Sequence, residues 1–243
     1  MVGGILGSAS FWEASYVDVQ DGIKSEVIQA CRVLSRLKLV EGFGHVSVRL
    51  EDDTVLMTPR KGLGLVKEEE LVHLSPSGEN LNFGNPPLEA AMHLAVFAAR
   101  RDVVAICRTH SRYVNVMGIS RQPIEVVHGF GAELRSTVPI HSSPYLVTSE
   151  DQGVAVVEAL KTAHAVVLPG NGSLVVGESV GDACVKAVFL EESAELQFLA
   201  RQLGPVHAWT PEAIKARLES DLPNEPVRAW EFYRNTYGHE FDQ

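Results

Sequence analysis

The sequence predicts a layered α/β domain built around a mostly antiparallel sheet. Two observations point there. Helix-spaced and strand-spaced apolar patterns are mixed along the chain rather than strictly alternating, which argues against a doubly wound parallel fold. Short turns join several of the strands, so these pair as hairpins. The chain has 243 residues and is 45% hydrophobic and 21% charged, enough to bury one sizeable core without staples.

The elements follow in order. Ile23, Val27, Ala30, Cys31, Leu34 and Leu37 lie at helix spacing, and Gly42 and Gly44 end that segment. His45 to Leu50 alternates, with Val46, Val48 and Leu50 on one face, and reads as a strand. Val55-Leu56-Met57 is its hairpin partner across a two-Asp turn. Glu69 to Leu74 is a short strand, closed by the Ser75-Pro76-Ser77-Gly78 turn. Pro86 and Pro87 open a helix whose expected buried stripe is Leu88, Ala91, Met92, Ala95, Val96 and Ala99. Val103 to Cys107 is a continuous apolar run, a strand covered on both faces. Ser111 to Met117 is helical, Ile124 to Val127 a short strand, and Val154 to Leu160 a helix. Ala165 to Gly177 reads as strand, Gly-Asn-Gly turn, strand. Ser179 and Asp182 form a capping-box-like start to a long helix that stops at Gly204-Pro205. Thr210-Pro211-Glu212 starts another helix, and a last one covers about Val227 to Arg234. The organisation expected is an N-terminal arm (1–20), a main domain (21–205) and a C-terminal helical extension (206–243).

The net charge is −10, from 21 Lys and Arg against 31 Asp and Glu, with no basic cluster, so nucleic acid is not an expected partner. The start has no basic n-region, and no apolar run reaches the ~18 residues of a membrane span. The expected location is cytoplasmic. Cys31, Cys107 and Cys184 are expected as buried free thiols, because an odd, sparse count builds no disulfide framework.

Three places hold residues that could do chemistry. Glu89 and His93 stand four apart and share a helix face, displaced from the apolar stripe. They suit metal ligation or proton exchange, and equally an ordinary polar flank. Arg108 and His110 stand two apart at the end of the buried strand, on one face. An Arg there suits a carboxylate or phosphate, or a structural ion pair. Gly170-Asn171-Gly172 is by default a hairpin turn, and His45, His128 and His141 individually read as structural.

Taken together, Gly44-His45-Val46-Ser47, Thr58-Pro59-Arg60, Pro87-Leu88-Glu89 with His93, Arg108-Thr109-His110-Ser111 and Gly170-Asn171-Gly172 occur in an order that resembles the class II aldolase/adducin family. The likeness covers residues 22 to 205, including the helix with Leu190-Glu191-Glu192-Ser193-Ala194-Glu195. It implies a three-layer α/β/α fold with a central, mostly antiparallel sheet and a homotetramer with active sites between subunits. Family enzymes typically bind a divalent ion through a His-x-His pair and a later His-Gly, with an upstream Glu as acid, base or ligand. Here Arg108 stands at the first of those imidazole positions and Asn171 at the third, while His110 and Glu89 remain. Arg repels a cation and Asn is a poor ligand for zinc-like ions, so the usual metal site is expected to be lost. Glu89, His93 and His110 could instead form a shifted three-ligand site.

The Gly-His-Val-Ser and Thr-Pro-Arg forms look more like the aromatic-acid decarboxylase branch than the sugar-phosphate aldolases. The resemblance therefore implies a lyase that makes or breaks a C–C bond in a small carboxylated, hydroxylated substrate through an enolate-like intermediate. Arg108 would replace the metal's charge, Glu89 and His110 would exchange protons, and Asn171 would donate a hydrogen bond. His45, Ser47, Arg60, Lys61, His93 and Tyr113 are the expected substrate contacts. The alternatives are a metal-independent aldolase, dehydratase or cyclase, and a non-catalytic adducin-like binding protein. A working pocket would lose turnover in Arg108→Ala and Glu89→Gln with thermal unfolding nearly unchanged.

Overall fold

The computed structural model describes residues 11–220 and 225–240, with side chains from Gly22 onward. Six strands form one sheet: β1 (His45–Arg49), β2 (Val55–Met57), β3 (Val72–Leu74), β4 (Ala105–Thr109), β5 (Ala165–Val167) and β6 (Ser173–Gly177). Their order is β3-β2-β1-β4-β6-β5, and every neighbouring pair is antiparallel. The helices are α1 (Phe11–Arg36), α2 (Ala90–Ala99), α3 (Arg112–Ile119), α4 (Glu150–Leu160), α5 (Val180–Arg201), α6 (Pro211–Leu218) and α7 (Glu225–Tyr237). Among the described residues no helix is long and apolar enough to cross a membrane.

Successive strand side chains point to opposite faces, and this sorts the core into two layers. Val46, Val48, Ala105, Cys107 and Val175 pack with Val27, Leu34 and Cys184 of α1 and α5. Ile106, Leu174, Val176 and Met57 pack with Met92, Val96 and Phe97 of α2 and Val156 and Leu160 of α4. The sheet is therefore sandwiched, the α/β/α arrangement expected. Strand β4 lies between β1 and β6 and is buried along its whole length, as its unbroken apolar run requires. All three cysteines are free and buried in the first of these cores, where burial pushes their thiols up.

Side-chain caps set several helix starts. Ser149 and Gln152 form a reciprocal capping box at α4. Ser179 accepts from the Asp182 N–H at α5, but the Asp182 carboxylate turns to the Glu178 N–H and Lys186, so no reciprocal box forms there. Thr210 caps α6 as expected. The aromatic residues of α7 serve packing: Trp230 is buried against the α1/α5 core, with Tyr233 and Tyr237 beside it.

Several elements differ from the expected bounds. Helix α1 begins at Phe11, so part of the expected arm is helical backbone, while residues 1–10 lie outside the described residues. It ends at Arg36, before Gly42 and Gly44, because Lys38 takes a left-handed conformation and turns the chain. Glu68–Glu70 form a short 3-10 turn that holds Lys61, so β3 starts only at Val72. Ile124 to Val127 is not a strand but one isolated bridge, Ile124 to Val138. Its remaining backbone groups are taken elsewhere: the Glu125 N–H donates to Gln197 Oε1 and Val126 O accepts from Trp209 N. The buried face of α2 also differs. Leu88 and Ala99 are exposed, and Met92, His93, Val96 and Phe97 point inward.

The β5–β6 turn presses against the end of β4. Gly172 has φ +81, and a Cβ on it would run into the Thr109 carbonyl oxygen. Gly172→Ala is therefore expected to cost more than about 1 kcal/mol of stability, read as a lower urea midpoint at unchanged slope. An unchanged midpoint would refute this close approach.

Candidate active site at the end of the central strand

Strand β4 ends with Arg108 and Thr109, and His110 follows. The β1–β4 register sets His45 opposite Arg108 and Ser47 opposite Ile106, so His45, Ser47 and Arg108 share the face covered by α2. Glu89 immediately precedes α2 and His93 lies one turn along it. The fold thus gathers His45, Ser47, Glu89, His93, Arg108 and His110 at one strand end. The pair at Glu89 and His93 is no polar flank: His93 is fully buried and Glu89 only 6% exposed.

Arg108 organises the cluster. It is the largest fully buried side chain among the described residues. Its Nη2–H donates to Glu89 Oε1 at 3.3 Å and its Nη1–H to the Thr109 carbonyl at 2.7 Å. Burial pulls the guanidinium below its ordinary value, and the Glu89 charge and hydrogen bond oppose that. The same cation adds to the burial that keeps its neighbours neutral. Burial, with the Arg108 charge added, pushes the His93 imidazole down to about 3 and that of His110 down to about 4. Burial lowers His45 too, with His93, Arg108 and His110 acting in the same direction. Ser47 Oγ lies 2.8 Å from His93 Nδ1, and the His45 and His93 rings are 5.8 Å apart. Three buried polar atoms of the cluster have no partner among the described residues: His45 Nδ1, His93 Nε2 and Arg108 Nε.

His110 joins this cluster to the surface. It lines a groove of about 630 Å³ together with Phe43, Arg112, Tyr113, Asn115 and Glu195. Phe43 is 77% exposed, its ring 6.3 Å from the His110 imidazole. The His110 backbone is pinned from both sides, its N–H on Leu39 O and its carbonyl accepting from Asn115 Nδ2 at 3.2 Å. Asn115 Oδ1 also accepts from the Gly172 N–H at 2.7 Å, tying the β5–β6 turn to the same place. Glu191 accepts the Tyr113 and Val114 N–H groups at 2.9 and 3.0 Å and fixes the start of α3.

The other expected site residues are placed differently. Tyr113 lines the groove, and Glu195 pushes its phenol up by charge and hydrogen bond. Lys61 pairs with Glu70 at 2.7 Å and Arg60 is exposed, and neither has a recorded bond to the cluster among the described residues. Asn171 donates its amide to the Pro144 carbonyl at 2.8 Å and to that of Pro169 at 3.4 Å, pinning a loop, and among the described residues it has no recorded bond to Glu89, Arg108 or His110. Phe43, Asn115, Glu191 and Glu195 were not singled out as site residues from sequence. The only hint of Asn115 was its place one turn after Ser111 in a helix that begins at the site.

The divalent ion that the family resemblance implies does not fit these residues. Arg108 stands at one of the three expected imidazole positions with its guanidinium on Glu89, and the Asn171 amide is spent on the loop. Among the described residues no three His, Cys, Asp or Glu side chains are grouped to hold an ion, so Glu89, His93 and His110 do not form the shifted site.

The model of the class II aldolase and adducin N-terminal domain matches residues 25–198. A 3,4-dihydroxyphthalate decarboxylase of Terrabacter sp. is 30% identical over 222 residues, covering 84% of this chain and 92% of that protein. An L-fuculose phosphate aldolase of Methanocaldococcus jannaschii is 29% identical over 180 residues, covering 72% of this chain and 96% of that one. The solved L-fuculose 1-phosphate aldolase of Glaciozyma antarctica superposes with a TM-score of 0.78 at 19% identity, covering 98% and 96% of the two chains. That likeness speaks for the fold alone.

Burial corrects one sequence expectation directly: Arg108 cannot be removed without a stability cost. Arg108→Met, which leaves Glu89 buried and unpaired, is expected to lose on the order of 3–5 kcal/mol. Adding Glu89→Leu should recover most of it, because hydrophobic replacement of both partners is close to neutral. Additive losses in a denaturant double-mutant cycle would rule this coupling out.

The depressed imidazoles set a pH dependence. The native state keeps His93 and His110 neutral down to about 3 and about 4, while the unfolded chain takes up their protons below about 6.5. Stability is therefore complete above that value and falls as the pH drops toward 4. His93→Gln should flatten the decline in urea midpoint between pH 7 and pH 4.5. A slope equal to that of the parent would show that His93 is not held neutral.

Proposed function

Because the chain belongs to the class II aldolase and adducin family, we propose that it is a carbon–carbon lyase acting on a small carboxylated, hydroxylated substrate, with decarboxylation as its reaction. The observation that carries this reading is the buried Arg108–Glu89 pair set among neutral imidazoles, one of which, His110, opens on a groove. Relatives that cover most of the chain include a decarboxylase of a dihydroxylated aromatic diacid and aldolases of a sugar phosphate.

The chemistry follows from what these residues can do. Breaking the C–C bond sends its electron pair toward a substrate oxygen, and a fixed guanidinium beside that oxygen stabilises the charge that builds there. His110 is neutral near pH 7, so it takes the proton of a substrate hydroxyl and delivers it to the carbon bearing the carboxylate; that oxygen becomes a carbonyl, and as CO2 leaves the C–C electron pair returns to it as the oxyanion. Glu89 holds Arg108 in place and balances its charge before substrate arrives. The exposed Phe43 ring supplies an apolar wall for an aromatic substrate, or a surface for a second copy of the chain. We propose a homo-oligomer, of the tetrameric kind its family implies, with the grooves at subunit contacts. Light scattering that returns a monomer would discard this.

The test is CO2 release from 3,4-dihydroxyphthalate, set beside cleavage of L-fuculose 1-phosphate, before and after exhaustive EDTA treatment. Decarboxylation that survives the chelator and falls about 10²–10³-fold in Arg108→Met is the expected result, matching the loss of one main electrostatic contact. His110→Asn, at a half-buried position, should fall similarly without the folding cost. Aldol cleavage that needs a metal would overturn the reading. Binding without turnover of either substrate would favour the adducin-like alternative.

A further inference from the structure

Ser47 and His93 decide where a proton sits. Both are fully buried, and among the described residues the Ser47 hydroxyl has no recorded partner besides His93 Nδ1, at 2.8 Å. If Nδ1–H donated to the hydroxyl, two buried groups would be left unpaired, the Ser47 O–H and the Nε2 lone pair. If the hydroxyl donates to Nδ1, only an Nε2–H donor is left over. Buried polar groups are satisfied wherever the network allows, so the second arrangement is the stable one. His93 Nε2, Arg108 Nε and His45 Nδ1 are all buried without a partner among the described residues, and the His45 and His93 rings are 5.8 Å apart.

We propose that Ser47 locks His93 as the Nε2–H tautomer, and that His93 Nε2–H and Arg108 Nε–H, with His45 Nδ1 beside them, form a donor pocket for one oxyanionic group of the substrate. Ser47 is a positioning residue, acting only through His93. The inference rests on the reading of this cluster as the reacting centre and narrows the substrate. Donors speed a reaction when they meet charge that grows in the transition state, and slow it when they hold charge that departs. The pocket therefore takes the oxygen that becomes an enolate or phenolate, not the carboxylate that leaves. The matching substrates carry a hydroxyl or oxo group next to the carbon that loses CO2. A neutral imidazole beside a cation suits this task, since its N–H remains available over the whole range in which His93 is uncharged.

The test needs no turnover. The full-length protein is labelled with ¹⁵N-histidine, His93 is assigned by its loss in His93→Gln, and its nitrogen shifts are read at pH 7. The expected signature is a protonated Nε2 and a bare Nδ1. Ser47→Ala should mix the two tautomers of His93 alone, and Ser47→Thr should restore the parent pattern. Oxalate, a planar mimic of an enolate, should shift the His93 Nε2–H signal. A proton on Nδ1 overturns the proposal, and so does an Nε2–H signal that oxalate leaves unmoved. Failure of CO2 release with this signature intact would count against the lyase reading and not against the donor pocket. Turnover with a Nδ1–H tautomer would do the reverse.

Discussion

A guanidinium without access to water must find its counter-charge inside the protein, and much of this site depends on how Arg108 does so. Its desolvation is offset by one carboxylate at 3.3 Å and one backbone carbonyl at 2.7 Å. That requirement places Glu89 at the start of α2 with its side chain turned inward, where it cannot cap its own helix. It brings His93 one turn further on into the same buried space. Burial keeps three imidazoles of this cluster neutral at physiological pH, and the Arg108 charge adds to that. A pair of this kind contributes little net stability compared with well-packed apolar residues. What it supplies is a positive charge in a fixed place.

The surroundings of that charge are rigid for reasons spread over distant parts of the chain. The β1–β4 register sets His45 across from Arg108, and the β5–β6 turn closes against Thr109 because Gly172 has no side chain. Asn115 then bridges this turn to the His110 carbonyl, and Glu191, far along α5, holds the first N–H groups of α3. His110 is thus held by its backbone neighbours while its ring stays free to meet the groove. A site on a strand end braced in this way keeps reacting groups in place better than a site on a free loop would.

Much of the fold was legible because its signals are local. The run from Val103 to Cys107 has no polar break, and only a central, doubly covered strand tolerates that. Caps at Ser149, Ser179 and Thr210 are short-range hydrogen bonds, though only the latter two were read from the sequence. The misjudged places involve partners far away. Ile124 to Val127 has strand-like composition, but Gln197 and Trp209 take its backbone groups. The inward face of α2 was misread because apolarity was taken as the mark of burial, whereas Glu89 and His93 are drawn inside by Arg108 and Ser47. Asn171 shows the opposite case. Its place in the order of motifs suggested chemistry, and its amide instead anchors Pro144.

An arginine where the family resemblance implies an ion-binding imidazole changes the kind of help a site can give. A metal ion can accept a hydroxyl oxygen as a ligand and lower its pKa directly. A guanidinium can only donate hydrogen bonds, so it stabilises an oxyanion once formed and leaves the removal of the proton to another group. In the proposed reaction that group must be a neutral base within reach of the same substrate. His110 has both properties, since its burial, with the Arg108 charge added, leaves it uncharged and it faces the groove. In that proposal the charge that would stand in for an ion also weighs on the base, so the two functions cannot be tuned independently. A substitution that strengthened the Arg108 field would stabilise the enolate better while making His110 a weaker base, a compromise set by the single buried cation they share.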